Sequence, residues 1–213
     1  MTIAKGLPWG AIDSAPREMR VASSEREAAE LVRGGARFIA LTSGDLLRAT
    51  GALPNTRRRI VAPEPGRPCL QLPCDLLELA IDRDPLVRHV VSSVRVGWYW
   101  KPRFWVTAGG FLGSFNVAPR AHPNDGLVDA LRFQGKVSLR TNLAIRRRAR
   151  LGDHLPHPNL AMERAKQVQW IDESNTEPLW LDGVRVGDAS FVRVTVIPNA
   201  WTLCLPDPTA HTA

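Results

Sequence analysis

At 213 residues and 23.5 kDa, the chain has room for one domain or two small ones, since domains run about 100–200 residues. It is 44% hydrophobic and 23% charged, a composition that excludes disorder throughout and predicts a folded protein. Lys plus Arg at 28 against Asp plus Glu at 21 gives a net charge of +7 and a pI near 10.1, which favours an anionic partner: phosphate, nucleotide, acidic lipid headgroup or nucleic acid.

Arg or Lys interrupts every apolar run before it reaches the ~18 residues of a membrane span, so no spanning helix is expected. Lys5, Asp13, Arg17, Glu18 and Arg20 leave no apolar signal core near the start, and a cytoplasmic setting is expected. Cys69, Cys74 and Cys204 are an odd, sparse set for disulfides, and they read as buried thiols rather than zinc ligands.

Ser24 and Glu27 have the spacing of a capping box, which predicts a helix through Leu31 and Val32 that stops at Gly34-Gly35. Arg37 to Thr42 then reads as a short buried strand that ends at Ser43-Gly44-Asp45. Leu46 to Thr50 reads as a second short helix that ends at Gly51. Between Pro54 and Pro73 the prolines and Arg57-Arg58-Arg59 predict a linker. Beyond it the texture turns to β, with runs at Leu76–Ile81, Val87–Val96, Phe104–Thr107, Leu127–Phe133, Gln167–Ile171, Leu179–Leu181, Phe191–Ile197 and Ala200–Leu205. Ser138 to Leu151 is the helical exception, rich in arginine and without a clean apolar stripe. These signals predict a small α/β piece over residues 1–72, linker included, a β domain over 73–206 and a tail over 207–213.

The stretch Val117-Ala118-Pro119-Arg120-Ala121-His122-Pro123-Asn124-Asp125-Gly126-Leu127-Val128-Asp129 resembles the "A-P-x-A-x-x-D-D-G-L-L-D" signature of the diacylglycerol kinase-like lipid kinases, the superfamily of sphingosine and NAD kinases. Trp180-Leu181-Asp182-Gly183 and Phe191 to Trp201 resemble that family's closing "L-D-G-E" and following strands, and the order and the basic helix agree over about residues 73–206. The resemblance implies a truncated NAD kinase-like α/β domain followed by a β-sandwich domain, with the last strand returning to the first unit.

It also implies site residues. Ser43, Gly44 and Asp45 stand at the family's "G-G-D-G-T" loop, where backbone amides approach ATP phosphates and the Asp organises Mg²⁺. Only Gly44 and Asp45 survive of that loop, and Asp45 also reads as an ordinary helix cap. The "D-D-G-L" turn implies a structural cation held by Asp125 with the carbonyls of His122 and Leu127, while Asn124-Asp125-Gly126 is also what a tight turn requires. The family's general base, the Glu of "D-G-E", is Val184 here, which leaves Asp182 and Asp188 as the catalytic candidates. The family's usual first strand and its "N-P-x-S-G" turn have no counterpart ahead of Thr42, so a shortened ATP half is expected.

His154 and His157 have a ligand-like spacing, but Pro156 and Pro158 exclude a helix there and predict a loop with partly exposed histidines. Arg140 to Arg150, Arg57 to Arg59, Lys101 and Arg103, with Trp98, Tyr99, Trp100 and Trp105, suit an anionic membrane surface, and strand alternation should bury part of the aromatic set. Three readings follow: a lipid kinase using ATP and Mg²⁺, a non-catalytic lipid- or nucleotide-binding pseudokinase at the membrane periphery, and a nucleic-acid-binding module, which no motif supports. A second copy of the chain stays open as a partner.

Overall fold

The computed structural model describes residues 8–52, 59–82, 84–98, 101–135 and 138–208. The first unit holds β1 (Ala11–Ser14), β2 (Arg20–Ala22), α1 (Glu25–Arg33), β3 (Phe38–Leu41) and α2 (Asp45–Ala49). There follow β4 (Pro68–Ile81), β5 (Arg88–Val90), β6 (Ser93–Trp98), β7 (Lys101–Thr107), β8 (Phe111–Leu112), β9 (Phe115–Asn116) and β10 (Val128–Phe133). Then come α3 (Leu139–Ala149), β11 (Leu160–Ala165), β12 (Gln167–Ile171), β13 (Glu177–Leu181), β14 (Val184–Ala189) and β15 (Phe191–Pro206).

The Ser24 hydroxyl caps α1 by accepting the Glu27 N–H, as its spacing predicts. The Glu27 carboxylate reaches one residue further back than a capping box requires and accepts both the N–H and the hydroxyl of Ser23, each at 2.7 Å. Asp45 does not cap α2. Gly44 is the N-cap and Asp45 the first helical residue.

Among the described residues one sheet runs β1-β4-β15-β3-β2, with β12 on β15 and β5 on β4, a second runs β11-β10-β7-β6-β13-β14, and β8 and β9 pair as a separate hairpin. The return of the last strand to the first unit is present: β15 pairs parallel with β3 through Thr202↔Phe38 and Leu203↔Ile39. The two runs expected at the end of the chain are one strand, bent where its register on β4 shifts between Ile197 and Trp201. Pro68 to Pro73, expected as linker, is strand. Pro68 opens β4, and Pro73 lies beyond the reach of β1, which pairs only with residues 68–71. Val87–Val96, expected as one run, divides into β5 and β6 around a turn at Val91-Ser92.

β4 and β15 serve two cores with opposite faces. Leu72, Cys74 and Leu76 of β4 and Trp201, Leu203 and Leu205 of β15 pack with α1, β3 and α2. Leu77 and Leu79 with Val192, Val194 and Val196 pack instead against Val94, Val96, Phe104, Val106, Val128 and Leu179 of the second sheet. Residues of opposite parity face opposite sides of a strand, so the change from even to odd on β4 and from odd to even along β15 moves burial from the helices to the sandwich.

Asp75 sits at this exchange. Its carboxylate accepts the N–H of Gly126 at 2.7 Å and of Asn199 at 2.9 Å, and its carbonyl accepts the Trp201 indole N–H at 3.1 Å. Burial pushes the Asp75 carboxyl up, and the two amides pull it back. The Asn124-Asp125-Gly126 turn is thereby tied to the bend of β15, with Asn124 Nδ2 donating to Pro73 O at 2.7 Å.

Asp75→Ala leaves two amides without an acceptor. At about 1–3 kcal/mol for each buried unsatisfied group, urea unfolding is expected to show a loss of about 2–6 kcal/mol, while the exposed-site change Glu64→Ala moves stability by under about 0.5 kcal/mol. Equal effects of the two variants would remove Asp75 from its role.

Candidate functional site

A cleft of ≈ 340 Å³ lies between the first unit and the second sheet. Asp45 forms one wall, the hairpin residues Leu112 to Phe115 another, and Ser93, Arg95, Trp105, Trp180 and Gly183 the rest. The volume falls in the range of small-molecule sites. Arg95 and Trp180 are cross-strand partners on β6 and β13, and the guanidinium lies 4.4 Å from the ring centroid, which fixes the cation in the wall.

Asp45 and Arg48, both on α2, clasp one residue of the hairpin. Asp45 Oδ2 accepts the Gly113 N–H at 2.6 Å, Arg48 donates to the Gly113 carbonyl, and the Arg48 guanidinium also lies over Phe111. Burial raises the Asp45 carboxyl, opposed by that N–H and by Arg48. Ser43 turns from the cleft, its hydroxyl donating to Ser23 O at 2.6 Å.

Sequence reasoning missed Glu25. It is the first residue of α1, only 7% exposed, and its Oε1 accepts the Leu46 N–H at 2.6 Å. Its carboxylate thus holds the first turn of α2, where the resemblance places phosphate. Gly44, at φ 139°, leaves room for it: an added Cβ would lie 2.7 Å from Glu25 Cγ and Cδ. Burial raises the Glu25 carboxyl well above the usual range, and the charges of Asp182 and Asp45 push it further. Three carboxyl groups from distant segments converge here, and only Asp45 and Asp182 carried a signal in the sequence.

Asp182 follows β13 at φ 46° and accepts the N–H groups of Val91, Ser92 and Ser93 at 3.1, 2.9 and 3.0 Å. That is why β5 and β6 part at this point. Burial raises its pKa to about 6 against the three amides. Asp188 is elsewhere, on exposed β14, paired with Arg185 at 2.9 Å, and it is not among the cleft-lining residues. Val184 opens the same strand.

At the second predicted position, Asp125 Oδ1 accepts the Leu127 N–H at 2.9 Å, as a turn requires, and Oδ2 takes the Arg164 guanidinium. His122 Nδ1 accepts the Asn124 N–H at 3.2 Å, and its ring meets Trp9 edge-on at 4.4 Å. His154, expected to be partly exposed, is buried at 1% and bonds Val117 O through Nε2 at 3.2 Å. Trp98 is exposed and Trp105 buried, the mixture expected, while Tyr99, Trp100, Arg57 and Arg58 lie outside the described residues. No helix among the described residues is long and apolar enough to cross a membrane.

Residues 103–205, which include three cleft strands and both signature stretches, match the YegS C-terminal NAD kinase beta sandwich-like domain family. Over that stretch, just under half of its length, the chain is similar to the lipid kinase-like family. The lipid kinase-like fold extends over the first unit too: a diacylglycerol kinase from Bacillus anthracis str. Sterne superposes with a TM-score of 0.55 at 12% identity over 90% of this chain and 77% of that one. A second structure from that organism, described as a candidate diacylglycerol kinase, gives 0.56 at 11% identity over 90% and 79%. At such identities the likeness is one of fold. None of the curated proteins matches this chain.

The raised pKa of Asp182 gives a signed test. A carboxyl that holds its proton to about pH 6 when folded, against an ordinary 3.8, contributes stability that is complete below about pH 4 and lost as pH rises through about 6. Asp182→Asn is expected to flatten the pH dependence of the unfolding free energy across that window, measured by urea titration. An unchanged slope would contradict the burial of this group.

Proposed function

We propose that the protein is a non-catalytic member of the lipid kinase fold that docks on an anionic lipid surface and does not transfer phosphate from ATP. The observation that carries this reading is Glu25, whose carboxylate takes the Leu46 amide and fills the space in front of Gly44. A phosphate would have to displace that carboxylate and then sit beside Asp45. Val184 supports the same reading, because a valine cannot accept the proton of a lipid hydroxyl. Neither candidate replaces the missing base: three amides occupy Asp182, and Asp188 is paired on an outer strand. ATP and Mg²⁺ have no step in this reading.

The lipid surface is read from α3. Its buried positions, Asn142, Ile145, Arg146 and Ala149, follow helical spacing, yet two of them are polar. Arg146 donates through Nε to Asn142 at 2.6 Å and lies 5.9 and 5.6 Å from the Trp105 and Phe115 ring centroids. The leucines point outward instead: Leu139 is 63% and Leu143 49% exposed, and Leu151 just beyond the helix 78%. Arg140, Arg147, Arg148 and Arg150 are exposed beside them, and α3 itself has no acidic residue. Outward leucines among arginines suit the boundary between headgroups and acyl chains, at the cytoplasmic side of a membrane. Trp105 and Phe115, beneath this helix, also line the cleft, which links the docking face to the pocket.

A kinase reading keeps one support, that Asp45 and Gly183 line the same cleft. Incubation with labelled ATP, Mg²⁺ and vesicles of phosphatidylglycerol, phosphatidylcholine and diacylglycerol separates the two. Vesicle co-sedimentation without labelled lipid is expected; turnover that is lost in Asp45→Ala would establish an enzyme. With about 1 kcal/mol for each basic residue near an anionic surface, Arg147→Ala combined with Arg148→Ala should weaken vesicle binding about thirty-fold, and Leu143→Ser should weaken it further.

A further inference from the structure

We infer that Arg164 is the resident cation of the Asn124-Asp125-Gly126 turn and stands where the resemblance expects a metal ion, so that the turn is built without one. Arg164 lies on β11 directly across from Asp129 on β10. One guanidinium nitrogen, Nη2, bonds Asp125 Oδ2, and another, Nε, lies 3.7 Å from Asp129 Oδ2. The two carboxylates are 12% and 5% exposed, so they lack the water that would otherwise screen them. A planar fork of N–H donors that joins two carboxylates does the work of a small hard cation, with its position fixed by strand register rather than by coordination.

A metal ion and Arg164 exclude each other here. A hard cation needs an oxygen of Asp125, but Oδ1 is committed to the Leu127 amide and Oδ2 to the guanidinium. An ion on that carboxylate would sit against a fixed positive charge. The rest of the turn is fastened by the protein itself: His122 Nδ1 accepts the Asn124 amide, and the Pro123 carbonyl accepts the Asp75 amide. This inference does not depend on whether the protein transfers phosphate, since it concerns a turn outside the cleft lining.

The test compares the purified protein with Arg164→Gln, using Mn²⁺ binding by electron paramagnetic resonance and thermal unfolding in EDTA or Mg²⁺. The protein itself is expected to bind no Mn²⁺ at this turn and to unfold at the same temperature in both solutions. Arg164→Gln is expected to unfold earlier in EDTA, to recover in Mg²⁺, and to bind one Mn²⁺ that is lost when Asp125→Asn is added. Mn²⁺ binding by the unaltered protein that disappears in Asp125→Asn would overturn the inference, and so would a folded Arg164→Gln indifferent to both ions. Should Arg164→Gln fail to fold in EDTA, refolding in Mg²⁺ decides: recovery supports the substitution of arginine for metal, and failure in both solutions counts against it.

Discussion

The ladder between β4 and β15 holds both halves of the molecule, and it runs from Ile81 opposite Val192 to Cys69 opposite Pro206. Each strand is buried on one face near one end and on the other face near the other end. Where burial changes sides, the β4–β15 register shifts between Ile197 and Trp201, and backbone groups there need partners outside the ladder. Asp75 meets that requirement with two amides and the Trp201 indole, and in doing so it seats the Asn124 to Gly126 turn. The geometry of the cleft follows, because the second sheet and the first unit approach one another on either side of this junction.

A protein with net charge +7 puts its acids at its joints. Glu25 holds the start of α2, Asp45 clasps the β8–β9 hairpin, Asp182 gathers the turn before β6, and Asp129 faces Arg164. Three of the positions that the lipid-kinase signature marks, Asp45, Asp125 and Asp182, are engaged in fastening backbone. A carboxylate saturated with amide donors is well suited to fixing a turn and poorly suited to accepting a proton from a substrate.

Much of this was legible in the residues. Ser24 marked the first helix and the branched and aromatic runs marked the β half, while the family resemblance implied the sandwich and the return of the last strand to the first unit. Pro68 and Pro73 read as breakers by residue type, whereas one opens a strand and the other stands beyond the end of its neighbour. The parity change from Leu72, Cys74 and Leu76 to Leu77 and Leu79 was the available signal that a single strand serves two cores. α3 hid its stripe because Asn142 and Arg146 lie on the buried side, so counting apolar residues alone finds no face. Glu25 and Arg164 carried no signal, since their partners lie 21 and 39 residues away and only the fold brings them together.

Two strands that pass without interruption from one core to the other join the two units through paired backbone. The short β8–β9 hairpin is fastened to the first unit separately, through the N–H and carbonyl of the single residue Gly113. Severing the chain ahead of β4 would leave β1, β2 and β3 without the two strands that lie between them, while β4 and β15 would stay paired in the longer fragment.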